Sequence, residues 1–467
     1  MITRVEVDGF RNFVNFSIDL KPLVVLAGPN SSGKSNFFDL LMLLSRLATY
    51  DSLDVAFSGV RGDPIQQFTT IKPGQHLNRM KIAVEALVKP IIRDQWGDEA
   101  ELTNTHLRYS IVLSADKDQS GISRIKISEE RLTKIKKADT VAKLKFKTSQ
   151  SFIKKYISWA TRGQPYIDTF KDLGMIVLYQ DGRKGRKREY KIDELEGTML
   201  SAANTATFRH AFAMRQELNN ITQLQLEPEQ LREPSKIDVF GYTRNQKIGR
   251  HGENLPVVLE RLKNKNKKTI AKITSDLRSV VNDVKHVNVW KDEARDQLIA
   301  QVGFAHGGPF PASLLSDGTL RILALSTMRH DDLHEGVLCF EEPENGIHPS
   351  CMKGLFSILS GLSTNTDKSL PDDYDTNDGI RQVLVNTHSP SLVSIVPEED
   401  LLFAETARYF HEKFENPVIV GRFYPVKDEL PLRMKGKERT YVSRIEVVKF
   451  LSSVKKNNWC SEKESTD

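Results

Sequence analysis

Hydrophobic and polar positions change rhythm several times along this chain. Near the N-terminus ITRVEVDGF and FSIDL alternate, as strands with one buried face do, whereas LVVLA is continuous and suits a strand covered on both faces. A helix, FFDLLMLLSRL, is expected just after Lys34. Further alternating segments follow up to about residue 192, namely MKIAVEALV, HLRYSIVLSA, SRIKISEE and MIVLYQDG, and predict an appended antiparallel sheet. From 196 to 285 the spacing turns helical in ELEGTMLSAANTATFRHAFAMRQELNNI and LPVVLERLKNKNKKTIAKITSDLRSVVNDV, with EPEQLREPSK as the break. The stretch is too short and too interrupted for a long coiled-coil arm. Strands return in HVNVW, QLIAQVGF, GVLCF and QVLVN, and the polar end, NNWCSEKESTD, is expected to be disordered. The expectation is an α/β protein divided into a first lobe with its antiparallel sheet (1–195), an inserted helical region (196–285), a second lobe (286–425) and a C-terminal extension (426–467).

Composition narrows the class without naming a function. With 39% hydrophobic and 27% charged residues the chain reads as globular. No apolar run approaches the roughly 20 residues of a spanning helix, so no membrane partner is expected. The N-terminus lacks the basic-then-apolar order of a signal peptide, and the three cysteines show no metal spacing, which together predict a cytoplasmic protein. The net charge of +6 is unevenly spread, gathering in RLTKIKKADTVAKLKFK (131–147), GRKGRKREYK (182–191) and RLKNKNKK (261–268). These runs read either as solvated faces or as a stripe for double-stranded DNA.

Four motifs carry chemistry. GPNSSGKSN (28–36) lies between a buried strand and a helix, the setting in which successive backbone N–H groups close around a phosphate. Asn30, Ser31, Ser32, Gly33, Lys34, Ser35 and Asn36 are the expected ATP-binding residues. Lys34 would neutralise the β- and γ-phosphates, and Ser35 would ligate Mg2+. GVLCFEEPENGIHPS (336–350) delivers two carboxylates to a strand end, with Glu341 expected at the metal and Glu342 as general base. In LLSDGTLRILAL (314–325) a turn of Ser316, Asp317, Gly318 and Thr319 opens an apolar helix. One nucleotide-binding class uses such a turn to grip the γ-phosphate held by a partner subunit. QVLVNTHSPSLV ends its strand in His388, a candidate γ-phosphate sensor and second catalytic residue.

In this order the motifs resemble the ABC-type ATPase heads of the structural-maintenance, Rad50 and RecF group, and within it the stand-alone ATPases related to the OLD (overcoming lysogenisation defect) proteins. The resemblance covers most of 1–60 and 286–405, with LSDGT in place of the common LSGGQ and Glu341 in place of Asp. It implies an ABC-type P-loop head, ATP and Mg2+ as ligands, and at least a head-to-head homodimer. DGFRNF is similar to the group's opening motif, placing Arg11 and Asn12 near the adenine or ribose, and the group's lobe-joining glutamine is expected at Gln66 or Gln67 in RGDPIQQF. OLD-like nucleases carry a TOPRIM domain with an Asp-x-Asp element, but about 75 residues follow THSP here and none contains that element. The expectation is an ATPase without its own nuclease, similar to the ATP-binding subunits of the Septu and PARIS anti-phage systems, whose effector is a separate HNH or TOPRIM protein. The alternative is a RecF-like repair ATPase acting as an ATP-controlled clamp on DNA.

Overall fold

A computed structural model describes residues 1–117, 123–160, 163–182, 187–236, 246–368, 379–410, 417–429 and 440–461. Two large sheets organise it. One is antiparallel and eight-stranded: Lys187–Lys191, Met175–Tyr179, Ile167–Phe170, Ser123–Lys134, His106–Lys117, Arg79–Leu87, Ile2–Asp8 and Phe16–Asp19 lie in that order. The other is seven-stranded, in the order Ile221–Leu224, Gly336–Glu341, Arg381–Thr387, Leu23–Ala27, Leu401–Tyr409, Val418–Lys427 and Val442–Ser443. The first five of these run parallel, so their C-terminal ends share one edge. In parallel sheets that edge is where ligands bind.

Period-two alternation explains how the layers stack. Val24 and Leu26 share a core with the antiparallel sheet and the helices Lys34–Thr49 and Arg209–Asn219. Leu23, Val25 and Ala27 face the opposite core, built with the helices Leu255–Lys265, Lys267–Arg278, Asp317–Arg329 and Met352–Leu362. LVVLA is therefore apolar at every position because both of its faces are covered. The helix Lys34–Thr49 lies between the two sheets, which is why it buries Phe37, Phe38, Leu40, Leu41, Leu43, Leu44 and Leu47 almost all round its axis.

The architecture is α/β with an antiparallel sheet, and residues 196–285 carry the helices Arg209–Asn219, Leu255–Lys265 and Lys267–Arg278 together with a strand of the central sheet. Among the described residues of its first half Arg209–Asn219 is the long helix, and Ile221–Leu224 pairs in parallel with Gly336–Glu341 as the edge of the central sheet. The antiparallel sheet begins with the chain's first strands and is not an appendage. At the C-terminus the helix Arg444–Ser461 continues through the first residues of NNWCSEKESTD, where disorder was expected; 462–467 lie outside the described residues.

Candidate active site

The parallel edge brings together three of the four motifs. Residues 28–36 follow Leu23–Ala27, His388 follows Arg381–Thr387 on its neighbour, and Glu341 and Glu342 end Gly336–Glu341 on the next strand. The loop turns through Ser31 (φ 62°) and Gly33 (φ 104°) before the helix starts at Lys34. Gly33 is required there twice over, since a Cβ would also lie 2.8 Å from Asn12 Nδ2. The helix has no side-chain cap, so its first N–H groups have no partner of that kind. The Lys34 ammonium folds back onto the loop, donating to Gly28 O at 2.7 Å and Pro29 O at 2.6 Å. Burial lowers its pKa to about 8, opposed by the charge of Glu342. A desolvated cation without a bonded carboxylate, beneath exposed Asn30 and Ser31 and half-buried Ser35, is a fit receptor for a phosphate.

Glu342 sits at φ 46° and accepts from Asn345 Nδ2 at 2.7 Å, while His388 Nε2 lies 3.2 Å from its Oε1. The bond to His388, helped by Asn345, holds the carboxyl down at about 2. Glu341 Oε1 accepts from Gln223 Nε2 at 2.6 Å, and Gln223 is oriented in turn by Arg250, which donates to its Oε1 at 2.8 Å. A cleft of about 250 Å³ beside the acid pair is lined by Gln225, Arg321 and Asn345 among others.

Neither expected lobe-joining glutamine reaches this cluster through its bonded contacts. Gln66 caps the turn Pro64–Gln67 by accepting from Asp63 N–H, and buried Gln67 donates to Arg61 O and accepts from Arg11 Nε. The glutamines that do meet it are Gln223, bonded to Glu341, and Gln225, which lines the cleft. Both lie between the helical stretch that ends at Ile221 and the break EPEQLREPSK, where ITQL is too short to show a strand period.

Arg11 and Asn12 bond to the elements around the 28–36 loop. The Arg11 guanidinium donates to Gln67, Asn36, Asp39 and the carbonyl of Arg61, and Asn12 accepts from Asn36 Nδ2 at 2.9 Å. Both brace the 28–36 loop through Asn36.

The fourth motif stands apart. Ser316 caps the helix Asp317–Arg329, its Oγ accepting from Thr319 N–H at 3.3 Å, while Asp317 is held by Arg232. Gly318 packs against the loop after the acid pair so closely that a Cβ would lie 2.7 Å from Gly346 O. Ser316 and Asp317 are exposed.

Some cations of the basic runs pair with carboxylates of the same chain. Arg131 pairs with Asp168, Lys143 with Glu85, Lys187 with Glu189, Lys191 with Glu194, Arg261 with Asp331 and Lys265 with Asp332. Arg183, Lys184 and Arg186 lie outside the described residues.

No helix among the described residues is long and apolar enough to cross a membrane. No curated protein matches this chain. Among solved structures it is similar to an SMC head bound to the C-winged helix domain of ScpA, with 10% identity, 90% of this chain and 97% of that chain covered, and a TM-score of 0.44. It is also similar to the SMC head domain from Thermotoga maritima, with 10% identity, 91% and 99% covered, and a TM-score of 0.37. A third likeness is to an Smc head with an extended coiled coil bound to the C-terminal domain of ScpA, from Pyrococcus furiosus, with 11% identity, 91% and 96% covered, and a TM-score of 0.37. A family profile matches residues 23–394, most of the sequence and all four motifs, and the chain thus belongs to the AAA-domain ATPases of the family described as "AAA domain, putative AbiEii toxin, Type IV TA system".

Proposed function

We propose that this chain is the ATP-binding and hydrolysing subunit of an anti-phage defence complex, in which two copies close head to head on ATP and control a separate nuclease of HNH or TOPRIM type. The observation that carries the ATPase part is the edge where adjacent parallel strands set the Lys34 loop beside the Glu342–His388 pair. The exposed Ser316–Asp317 turn, bonded to its own head through Arg232, favours a role in a partner's site. The defence part is supported by the family's description, which names a toxin of a type IV TA system.

Lys34 Nζ exchanges its carbonyl partners for phosphate oxygens, and loop N–H groups bind the same anion. Ser35 and Glu341 offer the hard oxygen donors that Mg2+ prefers, and the ion would polarise the phosphoryl group. Glu342 stays ionised at neutral pH, and at about 2 it is a weak proton acceptor. Its work is to orient water for a loose phosphoryl transition state that demands little proton removal. His388 supplies a donor that can pass between Glu342 and a phosphate oxygen.

The test is Glu342→Gln. Hydrolysis should fall by about 10²-fold or more while ATP binding persists and dimers accumulate, whereas Lys34→Ala should lose binding. Phage plating on cells carrying the chain with its neighbouring genes should lose protection with either variant. Protection that survives both would remove the defence reading.

A further inference from the structure

The loop beyond the acid pair buries a third carboxylate. Glu344 is 7% exposed, and its Oε1 accepts a hydrogen bond from Thr387 Oγ1. Thr387 Oγ1 itself accepts from Ser389 N–H at 2.9 Å, so this hydroxyl is used in both directions. The other oxygen, Oε2, is buried without a hydrogen-bond partner. Burial raises the Glu344 carboxyl above its ordinary range, with the Thr387 bond pulling the other way. A buried carboxyl with one unmatched oxygen is a poor device for stability, since an apolar residue of similar volume would fill the place without desolvating a polar group.

Its position gives it another use. Glu344 lies two residues after Glu342, and Thr387 lies immediately before His388. The Glu344–Thr387 bond therefore clasps the two segments that carry the hydrolytic pair, which meet at 3.2 Å. Glu342 adopts the left-handed backbone region that non-glycine residues avoid, so its conformation has to be held by its surroundings. Glu342 N–H donates to Asn386 O at 2.9 Å on one side, and the clasp completes the restraint on the other. Arg321, from the helix opened by Ser316, donates to Asn345 O and feels the charge of Glu344, which ties the same loop to the Ser316–Thr319 turn.

We infer that Glu344 is a positioning residue: by bonding Thr387 it fixes the spacing of His388 and Glu342, and it acts on turnover, not on nucleotide capture. The inference rests on the proposed hydrolysis of ATP. Its test compares Glu344→Ala, Glu344→Gln and Thr387→Val with wild type and Glu342→Gln, reading kcat, KM and the Kd of a fluorescent ATP analogue. Alanine removes both oxygens, glutamine keeps one that can accept from Thr387, and valine removes the donor while keeping its shape. Glu344→Ala and Thr387→Val should each lower kcat about tenfold or more with Kd within about threefold, and Glu344→Gln should recover most of the loss. The double variant Glu344→Ala/Thr387→Val should be no slower than Thr387→Val, which also takes the acceptor from Ser389 N–H, because both substitutions break the Glu344–Thr387 bond. Thermal melts accompany each variant; if alanine does not fold, the glutamine and valine pair decides. Wild-type kcat in Thr387→Val, or Kd and kcat falling together in the folded variants, overturns the inference while leaving the ATPase reading intact. A wild-type protein that binds ATP and never hydrolyses it overturns that reading first, and this inference with it.

Discussion

Lys34 is a charge that the fold holds at a cost, and the cost can be measured. Its side chain is 3% exposed, and burial brings its pKa from 10.5 to about 8, with only partial relief from the charge of Glu342. At about 1.36 kcal/mol per pKa unit, the shift corresponds to about 3 kcal/mol of destabilisation at neutral pH. The folded pKa lies below the unfolded one, so between them the unfolded chain binds the extra proton and stability rises with pH. The penalty is full below the folded value and fades as pH climbs toward 10.5. Relative to Lys34→Met, wild type should gain about 2 kcal/mol between about pH 7 and about pH 9.5. Methionine leaves Gly28 O and Pro29 O without their donor, but that loss is independent of pH and cancels from the slope. Urea unfolding followed by circular dichroism, without nucleotide and at several pH values, supplies the two curves. A wild-type stability that, measured relative to Lys34→Met, stays flat or falls as pH rises would refute a desolvated, charged Lys34, and with it the argument that the loop is poised for an anion.

The other predictions probe the surroundings of that charge. Arg11→Ala removes one of two cations from Asp39, which is 8% exposed, and should destabilise by about 2–3 kcal/mol because the exposed Arg61 remains as partner; the urea midpoint reads it. Gln223→Leu frees Glu341 from its amide donor and should lower kcat at least about tenfold, whereas Gln66→Leu disturbs only a turn cap and should stay within about twofold; equal effects would reject the assignment of Gln223. Purified protein should not cut plasmid DNA with Mg2+ or Mn2+, and cleavage surviving Glu342→Gln would contradict an external effector.

The motifs were legible because each is local. A phosphate loop needs a strand, glycines and a lysine within a few residues, and LVVLAGPNSSGKSN contains them all. Partners set by strand order were not legible. Gln223 meets Glu341 only because Ile221–Leu224 joins the sheet next to Gly336–Glu341, across more than a hundred residues of chain, and a four-residue strand after a helix carries no period of its own. Arg11 likewise reads as a ligand-facing residue in DGFRNF, and only the fold shows Asn36, Asp39 and Gln67 drawn around it. Glu344 looks like another turn residue of PENGIHP until its burial against Thr387 is seen.

The central claim is that each ATP is shared by the Lys34 loop of one copy and the Ser316–Thr319 turn of another. Mixing Lys34→Ala protein with Ser316→Arg protein tests it most directly, since each alone has every shared site broken and each mixed dimer has one site intact. In a closed twofold assembly, an equal mixture should recover about a quarter of the wild-type rate per chain, half of the dimers being mixed and each of those having half its sites. Mass measurements must show that mixed dimers form. If they form and no hydrolysis returns, the shared site is contradicted.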